Sequence, residues 1–172
     1  MTDATYTHHS GEQTLAMLPE LTEVYLAARK DDPHRDDPLF SREQFTARTQ
    51  AQAHSPGFDL VTVHVAEALA GFSFGFRFPA GGWWADATPP PEHILTATKF
   101  AVIELDIHHA HQGQGLAHPL LDALLTTRSE DYATLATIPG SPAQAMYERW
   151  GWYKIGTIGG EGPAMDAMVK DL

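Results

Sequence analysis

The stretch Phe100–His118, FAVIELDIHHAHQGQGLAH, limits the folds open to this chain more than any other. Phe100 to Ile107 is an apolar, β-branched run. Gln112-Gly113-Gln114-Gly115-Leu116-Ala117 then turns the chain. Leu116, Leu120, Leu121, Leu124 and Leu125 follow at helical spacing on roughly one face. The pattern predicts strand, glycine loop and helix. A helix start presents unpaired backbone N–H groups and the positive end of the macrodipole. Glycines let an anion come close to those groups. The stretch is therefore a candidate site for a phosphate-bearing ligand.

The length of 172 residues, 43% hydrophobic and 19% charged, suits a single folded domain over 1–172. The formal net charge of −11 argues against nucleic acid or an anionic membrane as a partner, since both require clustered Lys and Arg. No cysteine is present, which removes disulfides, thiolate metal sites and a Cys nucleophile. Met1–Gly11 is polar, and no apolar run is long enough for a signal sequence or a membrane span. The expected location is cytoplasmic.

Read in order, Thr5–His8 is a short strand and Glu12–Lys30 a helix, with Pro19 predicting a kink or a later true start. Asp31–Pro38 is an acidic, Pro-punctuated loop. Ser41 with Gln44 fits a capping box for a helix over Ser41–Ala53. Asp59–Val65 and Leu69–Phe78 alternate as an antiparallel hairpin turning at Ala66-Glu67-Ala68. Phe72, Phe74, Phe76 and Phe78 share one face, with Gly71, Ser73 and Gly75 opposite, where the glycines either leave room for a ligand or a close backbone or only mark a bulge. An insertion at about 79–99 carries Trp83, Trp84 and Pro89-Pro90-Pro91. Its indoles either cap the core, wall a substrate or form a dimer contact. Tyr132–Ile138 is a strand. Ser141 and Pro142 open a helix that stops at Gly151. Trp152–Ile158 and Met165–Val169 are strands. The fold class is α/β of the α+β type, a mixed, mostly antiparallel central sheet flanked by helices.

Two common phosphate-binding loops do not match. No Lys follows the glycines as a P-loop requires, and His118 stands where a dinucleotide fingerprint has its third glycine. The surroundings fit something else. Gln112 to Ala117 matches Gln/Arg-x-x-Gly-x-Gly/Ala, and Leu105-x-Ile107 ends five residues before Gln112. Downstream, Ala143-x-x-x-Tyr147-Glu148-Arg149-Trp150-Gly151-Trp152 looks like Ala-x-x-x-Tyr-Glu-Lys-x-Gly-Phe. Together these segments, over about Phe100–Thr157, resemble the GNAT superfamily of N-acetyltransferases.

The resemblance implies acetyl-CoA as co-substrate. Gln112, Gly113, Gln114, Gly115, Leu116, Ala117 and His118 would cradle its pyrophosphate. Leu105, Asp106 and Ile107 would pair with the pantetheine arm and supply an N–H to the thioester carbonyl. The family's frequent Asn seven residues before the Tyr is Gly140 here, with Ser141 beside it as the candidate for that contact. Tyr147 matches the family's general acid, a phenol of pKa ~10 facing a thiol of ~8.5. Glu104, in the apolar run Val102–Leu105, is the candidate base, and a solvent-facing strand position is the other reading. Asp106 is the alternative base. Without cysteine, direct transfer in a ternary complex is favoured.

The implied activity is transfer of an acetyl group to a primary amine of a small molecule. The alternatives are a protein or peptide N-acetyltransferase and a non-catalytic acyl-CoA-binding sensor. Trp83, Trp84, Asp36 and Asp37 are candidate acceptor-side residues, although a solvated face is the ordinary reading of an acidic loop. His108, His109, His111 and His118 lie close in sequence without a partnering carboxylate pattern, so no metal is expected. A homodimer is compatible with the chain.

Overall fold

The structure, a computed structural model, describes residues 3–172; Met1 and Thr2, the start of the polar N-terminal stretch, lie outside the described residues. Seven strands form a mixed sheet in the order β1-β2-β3-β4-β5-β7-β6. They are β1 (Ala4–His9), β2 (Asp59–Val65), β3 (Ala68–Phe78), β4 (Lys99–Ile107), β5 (Tyr132–Thr137), β6 (Tyr153–Ile158) and β7 (Met165–Asp171). The helices are α1 (Gly11–Ala28), α2 (Arg42–Gln52), α3 (Glu92–Leu95), α4 (Ala117–Thr126) and α5 (Pro142–Arg149). This is the mixed, mostly antiparallel sheet with flanking helices that the sequence patterning predicts.

The chain divides into two compact units. The first runs up to Phe76 and resumes over Glu104–Thr127; the second comprises Arg77–Ile103 and Arg128–Leu172. Strand β4 is thus split, its N-terminal half in the second unit and its C-terminal half in the first.

In the first unit, β1 pairs antiparallel with β2, and β2 with β3. The hairpin turn is tighter than the sequence suggests. Ala68 already pairs with Val65, leaving Ala66 and Glu67 as a two-residue turn, both at positive φ (48° and 68°). That geometry matches the twist of the flanking strands, which offsets the cost of two non-glycine residues in the left-handed region. Phe72 and Phe74 are fully buried and stack on one another at 6.3 Å, with Phe45 of α2 beside Phe72. On the opposite face, a Cβ at Gly71 would come within 2.7 Å of the Asp106 carbonyl oxygen and 2.6 Å of Ile107 Cδ1. Gly71 therefore marks a close approach to the end of β4, and it also sits beside a bulge, since the β2–β3 register shifts between Val63 and His64.

Helix α1 starts at Gly11, not after Pro19. Ser10 and Gln13 form a complete capping box there, and the helix runs through Pro19 to Ala28. Burial of Leu18, Leu21, Thr22, Val24 and Tyr25 on one side keeps the element together. Ser41 caps α2 by accepting from the Gln44 N–H.

In the second unit, β4 pairs in parallel with β5 at Lys99–Ala101, and β5, β7 and β6 continue antiparallel. The 79–99 insertion is ordered by its own contacts. Trp84 donates to Thr134 Oγ1 (2.9 Å), Trp83 donates to the Thr88 carbonyl (3.1 Å), and Ala87 bridges to Ile158. Lys99, fully buried, points its ammonium at the carbonyls of Ala97 (2.7 Å), Leu95 (2.9 Å), Ile94 (3.2 Å) and Pro79 (3.4 Å).

Candidate functional site

In the first unit the site is built on β4, the loop after it and α4. Burial alternates along the end of β4. Glu104 and Asp106 are 8% and 6% exposed, while Ile103, Leu105 and Ile107 between them are half-buried. A period of two puts both carboxylates on one face and the three aliphatic residues on the other. Glu104 therefore does not occupy a solvent-facing position.

Two carboxylates on one covered face need cations. The nearest is Arg29, whose backbone N–H caps the C-terminus of α1, the end of a helix where positive charge is favoured. One terminal nitrogen donates to Asp106 Oδ1 at 2.6 Å and the other to Glu104 Oε2 at 3.4 Å. The guanidinium lies 3.9 Å above the Tyr25 ring. Arg48 of α2 approaches Glu104 Oε1 at 3.8 Å and donates to the Tyr25 hydroxyl at 3.1 Å. Tyr25 stacks on Phe45 at 4.0 Å. Burial pushes the Glu104 carboxyl above its ordinary range, and the Asp106 charge adds to the push against the opposing pull of Arg29 and Arg48. Burial works against the charge of Arg29, yet Asp106 and Glu104 more than compensate and hold it protonated. Burial also pushes the Tyr25 phenol up to about 12.

The sequence singles out Glu104 and Asp106 but none of their partners. A pair of acidic residues two apart in an apolar strand signals that buried cations are required. The signal does not say which of the arginines supplies them.

After β4 the chain makes a 3-10 turn over His109–His111, where His108 Nδ1 accepts from the Ala110 N–H. Gln112 then donates to the Ile107 carbonyl (3.0 Å) and the Ala28 carbonyl (3.1 Å), tying the loop to the ends of β4 and α1. Gln114 reaches back to the Ala110 carbonyl. Both amide side chains are thus spent on shaping the loop. Gly113 and Gly115 sit at φ 77° and 74°, where only glycine is unstrained, and a Cβ at either meets no atom within 4 Å. Residues 112–115 are exposed, Leu116 is buried against the core, and α4 begins at Ala117. Ser10, Ser41 and Ser141 cap α1, α2 and α5 through their hydroxyls, but α4 starts without a side-chain cap. Its first N–H groups, at the positive end of the helix, suit a pyrophosphate. His118 lies in this first turn, 3.6 Å from Asp122.

The acidic loop is held by its own contacts. Asp37 caps a short 3-10 turn by accepting from the Leu39 N–H, and Asp36 is exposed, 3.9 Å from Arg35. Asp31 meets His109 at 2.9 Å, which links this loop to the turn after β4.

In the second unit, Tyr147 lies on α5, 8% exposed, with its ring edge-on to Trp150 and Trp152 at 5.9 Å each. Ser141 Oγ accepts from the Gln144 N–H as the α5 cap, and Gly140, at φ 71°, donates its N–H to Gln144 Oε1. The Trp83 and Trp84 indoles are half-buried and bonded as described above. Among the described residues no group of three or more His, Asp or Glu converges to hold a metal ion, and no helix is long and apolar enough to cross a membrane.

Residues 93–162 match the acetyltransferase (GNAT) domain family. No curated protein matches the chain in sequence. Several solved structures share its fold over nearly their whole length. An acetyltransferase from Thermus thermophilus is 15% identical, with a TM-score of 0.66 and all of both chains covered. PaiA N-acetyltransferase from Thermoplasma acidophilum, solved in complex with coenzyme A, is 12% identical, with a TM-score of 0.58 and 99% of each chain covered. YncA from Salmonella typhimurium, solved with its cofactor acetyl-CoA, is 16% identical, with a TM-score of 0.62 over 99% of this chain and 95% of that one.

Proposed function

We propose that this chain, whose residues 93–162 match the acetyltransferase (GNAT) domain family, moves an acetyl group from acetyl-CoA to a primary amine of a small molecule, directly within a ternary complex. The observation that carries the donor is the exposed Gly113–Gly115 loop leading into the uncapped start of α4. Coenzyme A and acetyl-CoA bound to two proteins of the same fold support it.

Acetyl-CoA supplies an activated acyl carbon and a thiolate leaving group. The chain's own residues do the rest. Backbone N–H groups of Gln112–His118 hold the pyrophosphate. Leu105–Ile107 lie along the pantetheine arm, where an N–H stabilises charge growing on the thioester oxygen. Glu104 takes the proton from the attacking nitrogen, with Asp106 as its neighbour on the same face. Tyr147 returns a proton to the departing sulfur. Ser141 contributes to binding the cofactor from the start of α5. Trp83 and Trp84 in the Pro-rich insertion favour a small molecule over a peptide, and the acidic Asp36 and Asp37 favour a cationic amine.

Thiol release from acetyl-CoA, measured over a panel of small amines, amino acids and peptides, tests this reading. Release with a small amine is expected. Release only with peptides transfers the activity to protein substrates. Binding of acetyl-CoA without release for any amine makes the chain an acyl-CoA sensor.

A further inference from the structure

We propose that Arg29 is the positioning residue of the general base: its guanidinium, shared between Asp106 and Glu104 and stacked on Tyr25, orients the Glu104 carboxylate and sets the pH range in which it accepts a proton. The inference rests on the reading of Glu104 as base.

The geometry is asymmetric. Arg29 makes its short bond, 2.6 Å, to Asp106 and only a 3.4 Å contact to Glu104. Arg48 is no closer to Glu104, at 3.8 Å. A carboxylate locked in a short bidentate pair is a poor base, because its charge is already satisfied. Asp106 absorbs the strong bond, and Glu104 is aligned without being quenched. The cluster is also unsaturated. Arg29 Nε and Asp106 Oδ2 are buried without a partner while Glu104 is ionised, and a proton on Glu104 is shared with Asp106, which favours the protonated form.

The groups facing Glu104 can be enumerated. Asp106 comes from β4, Arg29 and Tyr25 from α1, and Arg48 from α2. Strand β3 contributes the Ser73 hydroxyl, donated to the Glu104 carbonyl at 2.7 Å. Removing the positive charge of Arg29 leaves Glu104 with Asp106 as a like-charged neighbour, which favours the protonated acid. Removing the charge of Asp106 leaves Arg29 and Arg48 to Glu104 alone, which favours the carboxylate. Any nearby charge moves the titration in these directions, so what separates positioning from bracing is whether the pH limb of the reaction moves with it.

The test needs no known acceptor. Glutamate side-chain carboxyls of the full-length protein are labelled with 13C, and the Glu104 signal, assigned by its loss in Glu104→Gln, is titrated in wild type, Arg29→Gln, Arg29→Lys and Asp106→Asn. The midpoint is expected to rise by at least one pH unit in Arg29→Gln, to stay within half a unit of wild type in Arg29→Lys and to fall in Asp106→Asn. With the amine that gives the fastest thiol release in the panel, the acidic limb of kcat/KM follows the same shifts, while KM for acetyl-CoA changes less than twofold in the two Arg29 variants. An unmoved midpoint in Arg29→Gln, or in Asp106→Asn should Arg29→Gln not fold, overturns the role of Arg29. A midpoint that moves while the kinetic limb does not, or full activity in Glu104→Gln, overturns instead the reading of Glu104 as base.

Discussion

Two buried glutamates meet arginines in this molecule, and their surroundings push them in opposite directions. Glu130, just before β5, has a side chain 1% exposed. Arg128 donates to both its oxygens, at 2.9 and 2.6 Å, and Arg77 adds a bond at 3.0 Å. Burial by itself would raise its pKa, but bonds from Arg128, a backbone N–H and Arg77 reverse the effect and hold it at about 2. Glu104 is covered to a similar degree, yet it shares its arginine with a second carboxylate and its contacts are long. Its pKa is raised. Burial opposes the charge at both sites; it prevails at Glu104 and is overcome at Glu130. What differs is the number of short side-chain donor bonds per carboxylate: three at Glu130, none at Glu104. A saturated carboxylate is a strut; a partly supplied one can still take a proton.

The comparison breaks most visibly by removing each glutamate in turn. Glu104→Gln is expected to lower kcat/KM by about 10²–10⁴-fold, the usual contribution of a general base, with CoA affinity by calorimetry nearly unchanged. Glu130→Ala is expected to do the reverse. Stability to urea falls by about 3 kcal/mol, because two arginines lose their buried partner, while activity per folded molecule holds. The contrast fails if the two variants give the same profile.

Acid titration sharpens the same difference. The folded value for Glu130 lies below its ordinary 4.5, so the stability it contributes is complete above about pH 4.5 and is lost as pH falls through about 2. Urea midpoints measured between about pH 6 and pH 2 should decline more steeply in wild type than in Glu130→Ala. A smaller effect concerns Tyr147, which lies in the same unit as Glu130 but is proposed to act chemically. Tyr147→Phe should slow turnover about tenfold or more with CoA binding intact, and unchanged turnover removes it from the acid role. The smallest effect is expected at Gly115. An Ala there has open space but the wrong backbone region, costing about 1 kcal/mol, and a thermal melt with a CoA titration should show a slightly lower Tm and a few-fold weaker Kd.

Most of the fold is legible from local signals. The Phe72–Phe78 alternation, the strand–loop–helix of Phe100–His118, the Ser141-Pro142 helix start and the stop at Gly151 each follow from residues a few positions apart. Features made by distant residues are not legible. Arg29 meets Asp106 across 77 positions and Trp84 meets Thr134 across 50, and no spacing rule selects those partners. The start of α1 lies within one residue of the expected Glu12, and only the effect of Pro19 departs from expectation: it is a strong local breaker, but the Ser10 cap and the buried face of the helix outweigh it. Half of the candidate site, the carboxylates and the glycine loop, is thus readable, and the arginines that give it its electrostatics are not.

The carbonyl cage around Lys99 has a consequence for the protein as an object of chemical labelling. Its ammonium is wholly covered and engaged by carbonyl oxygens from the start of the 79–99 insertion, from α3 and from Ala97. An acylating reagent can reach it only when that segment opens. Burial lowers its pKa only while the cage is closed, so in the opened state it reacts as an ordinary lysine and label uptake reports the opening itself. Lys99 is therefore a built-in clock: the rate at which it takes up label, read by mass spectrometry against Lys154 at the surface, measures how often the insertion lets go of the sheet.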